Sequence, residues 1–158
     1  MRNVYLDTTI PSFLVTTRDD ALSAARRQMT LRFWESYAER FRLFVSAYVE
    51  AEIAAGQWPG REDALARIAA LPRLPVTPAV DVAVATYIRT HLMPADAEGD
   101  AAHLACASVH GMDVLLTWNV RHLANPLKVD RLQVINRRLG LVTPVLCTPE
   151  ALLEDDDA

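Results

Sequence analysis

Apolar residues fall along this chain in two rhythms. Short unbroken runs recur: Val4-Tyr5-Leu6, Leu43-Phe44-Val45 and Val114-Leu115-Leu116. Between them lie longer stretches in which apolar residues return every three or four positions. The unbroken runs suit strands buried on both faces, and the longer period suits helices packed on a sheet. Alternation of the two predicts an α/β fold, a parallel sheet with helices on both faces.

In chain order, the first strand is Asn3 to Asp7, followed by a helix opened by Thr8-Thr9 with Pro11 in its first turn. A helix over 20–40 and a strand over 41–46 come next. Ser46 is placed to cap a helix from Ala47 to Ala55, and Pro72 ends another that begins at Gly60. Leu74-Pro75-Val76 reads as an edge strand, because proline is poorly tolerated in a central one. Thr77 is placed to cap a helix running from Pro78 to His91. Gly99 to Gly111 reads as an amphipathic helix, with Asp100, Leu104, Ala107 and Gly111 on one stripe. Its strand, Val114 to Leu116, stops at Thr117-Trp118-Asn119. A basic amphipathic helix from Leu127 to Leu139, a strand over 144–147 and a final helical turn at Thr148-Pro149-Glu150 complete the chain.

Several polar residues interrupt this pattern where ligands bind in open α/β sheets, at the carboxyl ends of strands. Asp7 ends the first strand; its alternative reading is a cap on the following helix. Glu50 and Glu52 point about 200° apart on their helix. Glu52 shares a stripe with Val49, Ile53 and Gly56, so it is the acid expected on the packed face and in need of a partner. Asp100 leads the face of the central helix, where the helix dipole alone also favours an acid. Asp7, Glu52, Asp100 and Asn119 can therefore gather at one rim. Three carboxylates in one pocket repel each other, and a divalent cation resolves that repulsion. Oxygen ligands suit Mg²⁺ or Mn²⁺, which would activate water and stabilise charge developing on a phosphodiester. Thr8 and Thr117 are placed to hold the carboxylates or a substrate. Arg121 and His122, in the polar loop after the strand, are candidate RNA contacts. Trp118 is the candidate for base stacking, and His103 and His110 read as structural.

Composition narrows this picture modestly. The chain has 158 residues, with 16 basic against 20 acidic side chains and a formal charge of −4. Bulk charge does not advertise a nucleic-acid binder, although arginines cluster in 26–42 and 121–138. The expected organisation is one domain over 1–153 and a solvated acidic tail over 154–158. Cys106 and Cys147 lack metal-ligand or redox spacing and read as buried small residues. No apolar run approaches the ~18 residues of a membrane span and no leader pattern precedes the first strand, so the expectation is a cytoplasmic protein.

Four motifs in order, Tyr5-Leu6-Asp7-Thr8-Thr9, Ser46-x5-Glu52-Ile53-x2-Gly56, Gly99-Asp100-x2-His103-x-Ala105 and Leu116-Thr117-Trp118-Asn119, resemble those of the PIN domain. The resemblance is to the VapC-type toxin ribonucleases of toxin–antitoxin pairs, and it covers Val4 to about Leu152. It implies an α/β/α sandwich around a parallel sheet of four or five strands. It also implies metal-dependent endonucleolytic cleavage of RNA, inhibition by a small antitoxin, and a homodimer. Carried across, Asp7, Glu52 and Asp100 match the family's first three acids, with Asp7 and Asp100 as metal ligands. Asn119 stands where the family has a fourth acid, which implies a weaker second metal site, with Asp96 or Glu98 as possible substitutes. The alternative from this departure is a catalytically weak metal- and RNA-binding module regulated by a partner. A haloacid-dehalogenase-like phosphatase would also place an aspartate here, but it resembles Asp-x-Asp, and this chain has Asp7-Thr8-Thr9.

Overall fold

A computed structural model describes residues 1–95 and 98–157, with side chains at 1–95 and 99–153. Its centre is a sheet of five parallel strands: β1 (Asn3–Leu6), β2 (Arg42–Ser46), β3 (Arg73–Leu74), β4 (Val114–Leu116) and β5 (Val145–Cys147). Their order across the sheet is β3-β2-β1-β4-β5. Tyr5 pairs with Phe44 on one side and Leu115 on the other, so β1 is the middle strand. Val4, Tyr5 and Leu6 are fully buried, as a strand covered on both faces requires. The chain winds outward from β1 to β3, then returns to place β4 against the free side of β1. The winding direction therefore reverses between β1 and β4, which is where open sheets of this kind leave a crevice.

Eight α-helices flank the sheet among the described residues: α1 (Thr9–Val15), α2 (Ala21–Ser36), α3 (Ala47–Ala54), α4 (Arg61–Ile68), α5 (Pro78–Arg89), α6 (Glu98–Val109), α7 (Val129–Arg138) and α8 (Pro149–Asp157). The α/β/α arrangement with a parallel sheet is the one the pattern predicts. α6 is not amphipathic as expected, because every residue from Ala101 to Ser108 is buried. Its small side chains let it pack against α5, α3 and β4 together, so no side of that stretch is left for solvent.

Local details depart from the sequence reading in the same physical sense. The helix expected over 20–40 ends at Ser36 and a 3-10 turn, Ala38–Arg40, leads into β2. The edge strand lies at Arg73–Leu74 rather than over Leu74-Pro75-Val76, since Pro75 cannot donate to a ladder. Thr77 makes no side-chain cap, and its hydroxyl is buried without a hydrogen-bond partner. Cys106 is buried, and burial pushes its thiol up to about 11, whereas Cys147 is only half-buried on edge strand β5. The backbone of the acidic run stays helical through Asp157, at the end of α8.

Candidate active site

The reversal between β1 and β4 brings Asp7 and Thr117 together at the carboxyl ends of adjacent strands. Asp7 N–H donates to the Leu116 carbonyl at 3.3 Å, continuing the ladder one step past β1. The Asp7 side chain is 2% exposed. Its Oδ2 accepts from Thr117 Oγ1 at 2.5 Å; its Oδ1 accepts from Thr9 N–H at 3.0 Å and Thr9 Oγ1 at 2.5 Å. Thr9 Oγ1 in turn accepts from Trp118 N–H at 2.8 Å, so one hydroxyl ties the start of α1 to the end of β4. Asp7 thus serves the N–H of Thr9, the first residue of α1, from the carboxyl end of β1.

Glu52 and His103 pair in the second half of the candidate site, and Asp100 lies one turn before His103 on α6. The Glu52 side chain is 41% exposed, essentially the same as Glu50 at 42%. The expectation that Glu52 is packed is therefore not met: Val49 and Ile53 fill the packed stripe, and Glu52 stands at its rim. Partners separate the two acids instead. Glu50 is paired with Arg73, whereas Glu52 Oε1 lies 2.8 Å from His103 Nε2. Glu52 also closes on the first turn of α6, where a Cβ on Gly99 would lie 3.0 Å from Oε1. A side chain there would ask the carboxylate to give by a few tenths of an ångström.

His103 is buried at 2% exposure and sits at the centre of a network. Its Nδ1 is 2.7 Å from Tyr5 OH, which is 2.7 Å from Ser46 Oγ, and Thr8 Oγ1 is 3.4 Å from Nε2. Neither Thr8 nor Ser46 makes the helix cap that the sequence suggests, because both hydroxyls turn into this network. An ionised Glu52 can only accept, so Nε2 carries a proton. When Nδ1 is protonated too, it donates to Tyr5 OH, and Tyr5 donates to Ser46.

Burial alone lowers the His103 pKa, but the hydrogen bond to Glu52 and the charges of Asp7, Glu52 and Asp100 outweigh it and hold the imidazole above its ordinary value. Burial raises Glu52, and the His103 hydrogen bond and charge, with a hydrogen bond from Thr8, more than reverse this. Asp7 goes the other way: its burial outweighs His103, Thr117 and Thr9, and its carboxyl is raised. Burial also pushes the Tyr5 hydroxyl well up. The imidazole of His103 is thus within electrostatic reach of all three acids.

The remaining predicted residues are placed less centrally. Asn119 Oδ1 accepts from His122 N–H at 3.0 Å, and Asn119 N–H donates to Thr117 Oγ1 at 2.9 Å, so its amide shapes the loop after β4. Arg121 is exposed, and His122 Nδ1 lies 3.4 Å from Lys128 Nζ. Trp118 is not an open stacking platform: it is 5% exposed, donates to Thr30 Oγ1 at 2.9 Å, and is covered by Arg26. Asp96 lies outside the described residues, and only the backbone of Glu98 is described. Tyr5, Thr9 and His103 were missed as site residues, although signals existed. Tyr5 shares a strand face with Asp7, and His103 is one helical turn from Asp100.

The donors fit a hard divalent cation in kind. Asp7 has about four acceptor positions, and three hydrogen bonds leave one open. Glu52 and half-buried Asp100 would add only oxygen donors, the kind such an ion takes. Among the described residues, no three His, Cys, Asp or Glu side chains already stand as a group that could hold a metal. Comparison with known families finds a match to the PIN domain over residues 4–125. The chain belongs to the PIN domain family. Neither a curated protein nor a solved structure matches it. The PIN domain is a nuclease-type fold whose members typically use divalent metal ions, which sets aside the phosphatase reading. In this PIN domain the matched segment runs from β1 to the loop after β4, and so contains Asp7, Glu52, Asp100 and Asn119.

Proposed function

We propose that the protein is a divalent-metal-dependent endoribonuclease, the toxin of a toxin–antitoxin pair of the VapC type. The observation that carries this reading is the PIN-domain match over residues 4–125, with Asp7 held at the carboxyl end of β1 by Thr9 and Thr117 and Glu52 paired with His103 on α6. Asp7 and Asp100 would hold Mg²⁺ or Mn²⁺, with Glu52 completing the acidic site. When bound, such an ion supplies Lewis-acid activation of water and offsets charge on the phosphodiester. Thr117 and Thr9 fix the Asp7 carboxylate for this task. His103 and Thr8 fix Glu52, and the His103 charge limits repulsion among the acids. Arg121 and His122 would meet RNA at the loop. A small antitoxin, a homodimer and a cytoplasmic setting belong to the same reading; among the described residues no helix is long and apolar enough to cross a membrane.

A second reading has its own support. Asn119 brings no charge and its oxygen is engaged by backbone, while Glu52 is already paired with His103. These features favour a catalytically weak metal- and RNA-binding module regulated by a protein partner. Incubating the protein with total RNA in Mn²⁺, Mg²⁺ or EDTA separates the two. Cleavage with either ion and none in EDTA supports the ribonuclease; metal binding by calorimetry without cleavage supports the module.

A further inference from the structure

A groove beside Glu52 takes no part in holding the acids together. It lies between α1 and the loop joining α3 to α4, and encloses about 380 Å³. Phe13, Thr16, Arg18, Glu52 and Trp58 are among its walls, so it shares Glu52 with the candidate active site. Both aromatic walls are fixed from behind. Trp58 donates its indole N–H to the Ile53 carbonyl at 2.8 Å. Phe13 stands edge-on to Trp118 at 6.3 Å, with the Arg26 guanidinium 5.4 Å from its ring centre. The loop carrying Trp58 is drawn onto α1 at Gly60, where φ is +90° and a Cβ would lie 2.9 Å from Val15 Cγ2. Arg61 closes the same loop by donating to the Gly56 carbonyl at 2.7 Å. The groove also carries a cation: the Arg18 side chain is 71% exposed, with Asp20 as a solvent-exposed partner at 3.6 Å.

The geometry points to this groove as the seat of one unpaired nucleobase of the RNA substrate, beside the phosphodiester presented to the acids. The inference rests on the ribonuclease reading and adds a substrate subsite to it. Aromatic walls receive the face of any base, and a guanidinium receives the neighbouring phosphate. A chain of net charge −4 needs such a local cation to hold a polyanion. A flat ligand, apolar on its faces and anionic along its backbone, matches ring walls with an arginine better than an aliphatic peptide side chain does.

The test is anisotropy of labelled, mixed-sequence single-stranded RNA of about twelve nucleotides, titrated with protein in EDTA so that turnover is absent. Trp58→Leu and Arg18→Ala should each raise Kd about 5- to 100-fold. Trp58→Phe, which keeps a ring, should stay near wild type, as should Arg138→Ala on distant α7. Arg18 is exposed, so its variant carries the test if Trp58→Leu fails to fold by circular dichroism. Unchanged binding by a folded Trp58→Leu or by Arg18→Ala, with cleavage intact in the wild type, overturns the groove alone. If the wild type neither binds nor cleaves RNA, the groove falls together with the ribonuclease reading. RNA binding unchanged in the variants, with a tryptophan fluorescence response to an apolar peptide that Trp58→Leu loses, would assign the groove to a protein partner and likewise overturn the inference.

Discussion

At the scale of single residues, the site is governed by which side chain each polar group faces. Glu50 and Glu52 are equally exposed, yet one meets Arg73 at the sheet edge and the other meets His103 in the crevice. Helical phase put Glu52 on the packed face, where it does not lie, and could not reveal that His103 is its partner. His103 looked structural because a histidine within an apolar helix has no visible role until Tyr5 and Glu52 are placed around it. Replacing it with Asn should cost about 1–3 kcal/mol, since it removes hydrogen bonds to a carboxylate and a buried phenol. Its raised folded pKa fixes the sign of the pH effect. Stabilisation by His103 is complete below its ordinary value of about 6.5 and is lost as pH rises through the raised folded value. The stability gap between wild type and His103→Asn, read by urea unfolding, should therefore be wider at pH 6 than at pH 9. A gap that widens with pH would mean that the histidine is neutral in the folded protein. Thr117→Val should also lower cleavage, because it removes the 2.5 Å hydrogen bond that orients Asp7; a thermal melt beside the cleavage assay separates this from unfolding.

At the scale of elements, the strands were legible because parallel strands buried on both faces leave unbroken apolar runs. Helix ends and caps were less so. A hydroxyl before a helix is a good cap only if nothing better is near, and Tyr5 and His103 are better partners for Ser46 and Thr8. α6 was misjudged as amphipathic for a related reason: alanine, cysteine and serine fit a crowded interior as readily as a surface. Ala105 is fully buried in that helix. Ala105→Leu should destabilise the protein by about 1–3 kcal/mol through overpacking, measured by denaturant unfolding. A neutral result would mean that α6 can shift from the sheet, and with it Asp100 and His103.

At the scale of the whole molecule, one topological fact organises the rest. The chain reverses its winding between β1 and β4, so motifs more than a hundred residues apart meet as Asp7 and Thr117. The order of motifs along the sequence carried this information, but only a parallel sheet turns that order into a single rim. If the acids hold a cation, Mn²⁺ should stabilise the folded protein by mass action, about 2.7 kcal/mol at a hundredfold excess over Kd. EDTA should remove the gain, and Asp100→Asn should reduce it, both read as shifts in Tm. Equal shifts in wild type and variant would place the ion elsewhere.

The most direct measurement compares wild type with Asp7→Asn in Mn²⁺-dependent cleavage of total RNA, both purified alike and both shown folded by thermal melting. A ribonuclease built on this crevice gives cleavage in the wild type that EDTA abolishes and the variant lacks. Cleavage that persists in Asp7→Asn would contradict it.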